Sequence, residues 1–255
     1  AARRRRTQHR PQTPRAGAVN PVAAGDGAEQ ESLETARQRS ADALAARDRT
    51  VTEQDTRGLA ETTPGLGLRR AHVSPGFHPA FPCDPVPGAL AVTIVPHADR
   101  AGEPGDWTAA PRPDAGALAT TRTRLARARL LGQEICVLAP VYRRVTVDVA
   151  VTATAQPGDS RQRIVDALRR YLDPLVGGSE RAGWPFGRPV RPSALAGVVQ
   201  QTIGPEATVT SLSAALDGGP PSDCADLAIG PRELGWLEAA TITWVAALPA
   251  GGGLR

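Results

Sequence analysis

The feature that most constrains the fold is an alternation of residue types from 145 to 153, VTVDVAVTA. Successive side chains of a β-strand point to opposite faces of the sheet, so an apolar residue at every second position marks a strand with one buried face. The sequence therefore predicts one long, half-buried strand, with a core face formed by Val145, Val147, Val149, Val151 and Ala153.

Two amphipathic helices that follow this strand can cover its core face. The first places apolar residues at helical spacing before Pro174 ends it: Ile164, Leu168, Tyr171 and Leu172. The second is predicted to begin at Ser193 as N-cap, and its apolar stripe consists of Leu195, Val198, Val199, Thr202 and Ile203. We expect the valine face to seat on Ile164, Leu168, Leu195 and Val199.

Segments 207–214 and 241–248 read as two further strands, which predicts a two-layer α+β domain in this half. The first half contains a helix-forming run at 28–47 and a second helix opened by a Thr52 and Asp55 capping box. Two strands are predicted there, over 66–74 and 88–96.

The predicted fold class is α+β, with two small two-layer helix-and-sheet units joined by a flexible linker and preceded by a basic N-terminal arm. The boundaries that follow from composition are a basic arm or linker at 1–19, a middle domain at 20–96, a Pro- and Gly-rich linker at 97–113 and a C-terminal α+β domain at 114–255.

A short aromatic loop separates the two amphipathic helices, although Phe, Trp and Tyr make up only 4% of the chain. Proline fixes one backbone angle of this loop, glycine permits a tight bend, and a large apolar side chain turned inward can anchor it. We therefore predict a structural role, with the loop pinned to the core, for Trp184, Pro185, Phe186, Gly187 and Arg188.

Charge and cysteine content exclude several classes of protein. Five arginines within residues 2–10 account for the net charge of +4, so the remainder is close to neutral and lacks a basic nucleic-acid footprint. Three widely spaced cysteines, Cys83, Cys136 and Cys224, form neither a disulfide framework nor a structural zinc pattern.

The absence of a long apolar run or a signal peptide predicts a reducing, soluble compartment. The first residue is Ala and no Met occurs, so we expect a piece of a longer chain.

No catalytic pattern is present in the sequence, since GxSxG, HExxH and P-loop motifs are all missing. Asp166 and Asp173 lie seven residues apart on a predicted helix, and we expect both to be solvated rather than to share a proton. The best metal candidate is a cluster whose spacing matches no standard site, so a surface loop is the preferred interpretation of His72, His78, Cys83 and Asp84.

Several spaced segments resemble one protein family when they are taken in order. They are VNPVAAGDGAEQESLETARQR, LAARDRTVTEQDTRGLAETTPGL, LRRAHV, VLAPVYRRVTVDVAVTA, RRYLDPLVGG and GWPFGRPV. This series is similar to the J-type baseplate wedge proteins of contractile phage tails and contractile injection systems, over residues 20–212.

The resemblance implies a structural, non-enzymatic subunit without a cofactor. It implies that wedge subunits pair as homo- or heterodimers and join around a central hub or spike in six-fold symmetry, in contact with sheath or tube initiator proteins. The implied location is the cytoplasm of a bacterial cell within an assembled particle, or a virion or released particle.

Two other functions remain open at this stage. The arginine run could bind nucleic acid without sequence preference, because no aromatic residue lies among its arginines; docking on an acidic neighbouring subunit is the favoured interpretation. A metal-dependent hydrolase would require stoichiometric zinc.

Overall fold

The computed structural model describes residues 31–45, 49–98, 110–153 and 158–246. The elements in chain order are α1 (Leu33–Ala45), α2 (Glu53–Glu61), β1 (Leu68–Pro75), β2 (Ala89–Pro96), α3 (Ala115–Ala128), β3 (Glu134–Leu138), β4 (Val141–Ala153), α4 (Ser160–Leu172), α5 (Pro192–Ile203), β5 (Ala207–Leu216) and β6 (Glu233–Ala246). The predicted arm at 1–19 and most of the predicted linker at 97–113 lie outside the described residues.

The described residues fall into two parts that divide after Ala46, with 31–45 in the first and 49–98, 110–153 and 158–246 in the second. Helix α1 is the regular element of the first part, within the run predicted at 28–47. Its first turn is held by Ser32 Oγ, which accepts from the Thr35 N–H at 3.1 Å. The side chain of Arg39 donates to both carboxylate oxygens of Glu31, with Nη2 and Oε2 2.9 Å apart.

The second part begins with a helix-and-sheet unit, called the β1–β3 unit below (described residues 49–98 and 110–138). Its strand order is β1-β2-β3, with β1 antiparallel and β3 parallel to β2. Helices α2 and α3 pack on this sheet. The predicted capping box opens α2, because the Asp55 N–H donates to Thr52 Oγ1 and the Thr52 N–H donates to Asp55 Oδ2, both at 3.0 Å. The core of the unit consists of Ala60, Ala71, Val73, Leu90, Val92, Ile94, Leu125 and Val137.

The sequence analysis missed strand β3. Its five residues, EICVL, follow the end of α3 and form the parallel edge of this sheet. The structure thus places α3 and β3 with β1 and β2. The chain then enters the second sheet directly, because only Ala139 and Pro140 separate β3 from β4.

The remaining residues form the β4–β6 unit (described residues 141–153 and 158–246), in which β4 lies between antiparallel β5 and parallel β6. Val145, Val147, Val149 and Val151 are buried, as the alternation predicts. They share one core with Ile164, Leu168 and Leu172 of α4 and with Leu195 and Val199 of α5. The α+β class with two small helix-and-sheet units is therefore confirmed.

Two local expectations were wrong. Helix α5 begins one residue before Ser193: Arg191 is the N-cap, its side chain makes no cap hydrogen bond, and Pro192 occupies the first turn, where its missing N–H costs nothing. The last strand begins at Glu233 rather than at 241, and a β-bulge at Glu238 shifts its register on β4.

Among the described residues, no helix is both long enough and apolar enough to cross a membrane.

Candidate interaction site at the Trp184 loop

The connection from α4 to α5 is organised by Asp173, the C-cap of α4. Its carboxylate Oδ1 accepts from the N–H groups of Leu175 at 2.7 Å and Val176 at 3.0 Å. Its backbone carbonyl accepts from the N–H groups of Gly177 and Trp184, both at 2.9 Å. One residue therefore closes the whole turn and brings the aromatic loop back against the end of α4.

Asp173 is completely buried, so the expectation that it is solvated was wrong. The N–H groups of Leu175 and Val176 replace water at its Oδ1, which offsets part of the cost of burying it. Asp166 is partly exposed and makes only local contacts, accepting from Gln162 Nε2 at 2.8 Å and lying 3.8 Å from Arg169 Nη1. The two acids do not form a catalytic pair.

Trp184 points into the core of the β4–β6 unit, where only 1% of its surface is exposed. Its ring meets Tyr171 of α4 edge to face, with centroids 5.4 Å apart. The guanidinium of Arg188 lies 5.7 Å from the Trp184 ring centroid, which suits a cation–π contact. Trp184 thus fixes the loop to its own unit.

Phe186 points the other way, toward the β1–β3 unit. Its ring stacks on His72 of β1 with centroids 4.5 Å apart and an interplanar angle of 12°. The guanidinium of Arg70, also on β1, lies 5.5 Å from the Phe186 ring centroid. Two aromatic residues separated by one proline therefore pack against two different units.

Arg70 completes the connection by hydrogen bonding across the same boundary. Its Nη1 donates to the carbonyl of Trp184 at 3.0 Å and to the carbonyl of Pro174. Burial lowers the pKa of Arg70, and the nearby Glu61 carboxylate acts in the opposite direction. The sequence analysis missed Arg70, because nothing in the pattern of β1 distinguishes it from the exposed Arg69.

The backbone of the loop requires glycine at two positions. Gly183 has φ of 96°, and a Cβ there would collide with the Pro174 carbonyl and with Nη1 of Arg70. Gly187 has φ of 70°, and a Cβ there would lie 2.9 Å from Cα of Pro231. Gly187 also donates its N–H to the Glu233 carbonyl at 3.1 Å, which ties the loop to the start of β6.

A pocket of about 310 Å³ opens beside this contact. Arg57, Glu61, Arg70 and His72 line it from one unit, and Pro185 and Phe186 from the other. Burial lowers the pKa of His72, and the charges of Arg57 and Arg70 lower it further. Glu61 Oε1 is engaged by the Ala71 N–H at 2.9 Å. We call this contact, in which Arg70 and His72 of β1 meet Phe186 and the carbonyls of Pro174 and Trp184, the Arg70–Phe186 joint.

The metal candidate from the sequence does not assemble. His72 stacks on Phe186, while Cys83 is exposed. Among the described residues, the group of possible ligands that lie within 4.8 Å of one another is His78, Glu134 and Cys136.

The hydrogen bonds of His78 argue against metal binding by this second group. The Ala80 N–H donates to His78 Nδ1 at 3.2 Å, so the neutral ring carries its proton on Nε2. That proton faces Glu134 Oε1 at 3.3 Å, where a metal would need a free lone pair. His78 and Glu134 therefore form a hydrogen bond that joins a loop to β3.

Comparison with known proteins shows that this chain has a fold similar to that of a solved structure. No protein-family model matches the chain, and no curated protein matches it. Among solved structures, the fold is similar to a chain in the cryo-EM structure of the anti-feeding prophage (AFP) baseplate, 6-fold symmetrised. The TM-score is 0.54 at 18% sequence identity, over 82% of this chain and 42% of that chain. The chain thus spans less than half the length of the baseplate protein whose fold it shares.

Proposed function

We propose that this chain is a structural component of the baseplate of a contractile injection particle and that it is not an enzyme. The observation that carries the proposal is the fold shared with the AFP baseplate chain over 82% of the residues. The segments that resemble baseplate wedge proteins when taken in order, from VNPVAAGDGAEQESLETARQR to GWPFGRPV, give independent support from the sequence.

In the finer form of this proposal, the chain is a J-like wedge subunit. Its partners are then other wedge subunits in a six-fold ring, the central hub or spike, and sheath or tube initiator proteins. Its location is the cytoplasm of a bacterial cell until the particle is released. The support for this finer form is the resemblance of the quoted segments.

The Arg70–Phe186 joint fits a subunit that must transmit force. A ring that holds the sheath until firing needs subunits whose parts move together, and a joint made by a part-buried guanidinium and a stacked ring is rigid and directional. The direct passage from β3 to β4 limits hinge motion further, since two residues leave little slack. We infer that the β1–β3 and β4–β6 units move together as one rigid body.

The test is affinity capture of the tagged chain after gentle lysis of its native host, followed by electron microscopy. Sheathed tubes carrying the label at one end are the expected result. An untagged strain and a strain that expresses a tagged cytosolic protein serve as controls. A small species free of sheath and tube proteins would contradict the proposal.

A further inference from the structure

Three arginine side chains from separate parts of the chain line one pocket of about 650 Å³. Arg112 precedes α3, Arg144 lies in β4, and Arg169 lies in the last turn of α4. Among the described residues that line this pocket, Glu238 is the one that carries a negative charge. The lining therefore has two positive charges in excess.

This excess of positive charge is local and does not follow from the composition of the chain. Apart from the five arginines in residues 1–10, the sequence has 25 arginines against 26 acidic residues. A chain of that balance can neutralise most of its arginines with its own acids. Three arginines that converge on one pocket with a single acid therefore point to a ligand of negative charge.

Tyr142 holds the pocket in shape. Its hydroxyl donates to the Pro111 carbonyl at 2.7 Å, and the guanidinium of Arg112 lies 5.4 Å from the centroid of its ring. The Tyr142 ring also meets Trp236 edge to face, with centroids 6.1 Å apart. Trp236 in turn pairs in register with Arg144 of the neighbouring strand. Because these groups are positioned in advance, binding a ligand orders few additional side chains.

The ion pairs already present leave the arginines of the pocket only partly neutralised. Arg144 Nη1 lies 3.2 Å from Glu238 Oε1, with side chains 59% and 43% exposed, and Arg144 Nε lies 4.0 Å from Asp217 Oδ1. Arg169 Nη1 lies 3.8 Å from Asp166 Oδ1. Ion pairs that are long or exposed contribute little to stability, so these arginines can take a further carboxylate at small cost.

We propose that this pocket binds an acidic segment of a partner protein, through two carboxylates that pair with Arg112, Arg144 and Arg169. The planar guanidinium donates two parallel hydrogen bonds to a carboxylate, and two carboxylates match the two excess positive charges. The volume lies within the range of about 300–1,000 Å³ that is usual for ligand pockets. The site shares no residue with the Arg70–Phe186 joint, and the inference does not rest on the proposed baseplate function.

The test is the binding of a fluorescein-labelled hexaglutamate peptide to the full chain, followed by fluorescence anisotropy at low salt. We expect the wild type to bind this peptide. The affinity should decrease as salt is added, because ions screen contacts between partly exposed charges. A labelled hexaglutamine peptide of the same length is the uncharged control and should not bind.

Two substitutions in the lining should change this affinity in opposite directions. Arg112→Glu should weaken hexaglutamate binding at least about tenfold, because it replaces an attraction by a repulsion. Glu238→Gln should strengthen it about threefold, because the competing carboxylate is removed. Arg161→Glu, at an exposed position on α4 outside the lining, makes the same change in net charge and should leave the affinity unchanged. A gain of affinity in Glu238→Gln cannot arise from loss of folding.

A further variant separates a partner protein from the chain itself as the source of the carboxylates. Asp99, Glu103 and Asp106 precede the pocket residue Arg112 in the sequence. We expect a chain in which all three are changed to Asn or Gln to bind hexaglutamate as the wild type does. Binding that is seen only in this triple variant would overturn the proposal and assign the pocket to these acids.

Three other results would also overturn the proposal. One is a failure of both the wild type and the triple variant to bind hexaglutamate. Another is equal weakening by Arg112→Glu and Arg161→Glu, which would show that only net charge matters. The last is stronger displacement of the labelled peptide by inorganic phosphate or by a thymidine oligonucleotide than by unlabelled hexaglutamate. None of these outcomes depends on whether the chain enters a particle.

Discussion

The two helix-and-sheet units differ in how completely each encloses its own core. The core of the β4–β6 unit contains 20 buried residues, including Trp184, whereas that of the β1–β3 unit contains eight, with no aromatic residue. One member of the larger core is Val95, which belongs to β2 of the smaller unit. The smaller unit therefore completes its burial against the larger one.

This difference teaches that the two units depend on the Trp184 loop in different ways. For the β4–β6 unit the loop supplies a core residue, and for the β1–β3 unit it supplies a docking surface. Small domains bury too little of their surface to be stable alone, so the smaller unit should be the first to open when the joint is broken. Substitutions on the two sides of the loop separate these roles.

The largest effect is expected from Trp184→Ala. Removing a buried aromatic side chain leaves a cavity and commonly costs about 3–5 kcal/mol, so the β4–β6 unit should lose most of its free energy of unfolding. Chemical denaturation followed by circular dichroism measures the loss. Trp236→Ala, at a partly exposed position in the same unit, is the matched control and should cost clearly less. Equal losses in the two variants would show that Trp184 is no anchor.

A smaller and more selective effect is expected from Arg70→Ala. The carbonyls of Pro174 and Trp184 would lose their donor, at a cost of about 1–3 kcal/mol. Because this loss falls on the joint, we expect calorimetry to show an early transition for the β1–β3 unit, separate from the main one. Arg69→Ala removes an exposed arginine from the same strand and should leave a single transition. A single, merely lowered transition in Arg70→Ala would mean that the units unfold together.

The sequence was sufficient wherever a local pattern determines the structure. Alternation alone identified the buried face of β4, because half-buried strands have a period of two. The Thr52 and Asp55 spacing identified the start of α2 for a similarly local reason, since both partners lie within one turn. The buried position of Trp184 follows the same logic, because a large apolar side chain beside proline and glycine turns inward.

The sequence failed where a contact joins distant residues. Strand β3 is short and partly buried, so its pattern does not stand out until β2 pairs with it. The bulge at Glu238 interrupts the alternation of β6, since Leu234, Gly235 and Leu237 are buried before it and Ile242 after it, and this hid the first half of the strand. Arg70 and Asp173 gain their roles from chain segments more than 100 and about ten residues away, respectively, and no periodicity marks such partners.

The smallest predicted effect is the pH dependence of stability through His72, and it reports on the Arg70–Phe186 joint. Burial, together with Arg57 and Arg70, lowers the pKa of His72 below its ordinary value near 6.5. Glu53 acts in the opposite direction, and Arg232 adds to the lowering. The folded protein therefore keeps His72 neutral at a pH where the unfolded chain protonates it.

The sign of the pH dependence follows from this difference. The unfolded state binds more protons than the folded state as pH falls below about 6.5, so stability is full above that value and decreases toward acid. His72→Phe keeps a ring against Phe186 and cannot titrate. Between pH 7.5 and 5.5 the wild type should lose about 1–2 °C of Tm relative to His72→Phe, a modest change because His72 is only partly buried. In an Arg70→Ala background the loss should shrink, since a positive neighbour is gone and the opened joint exposes the ring. An undiminished pH response in that double variant would show that the Arg70–Phe186 joint does not determine the pKa of His72.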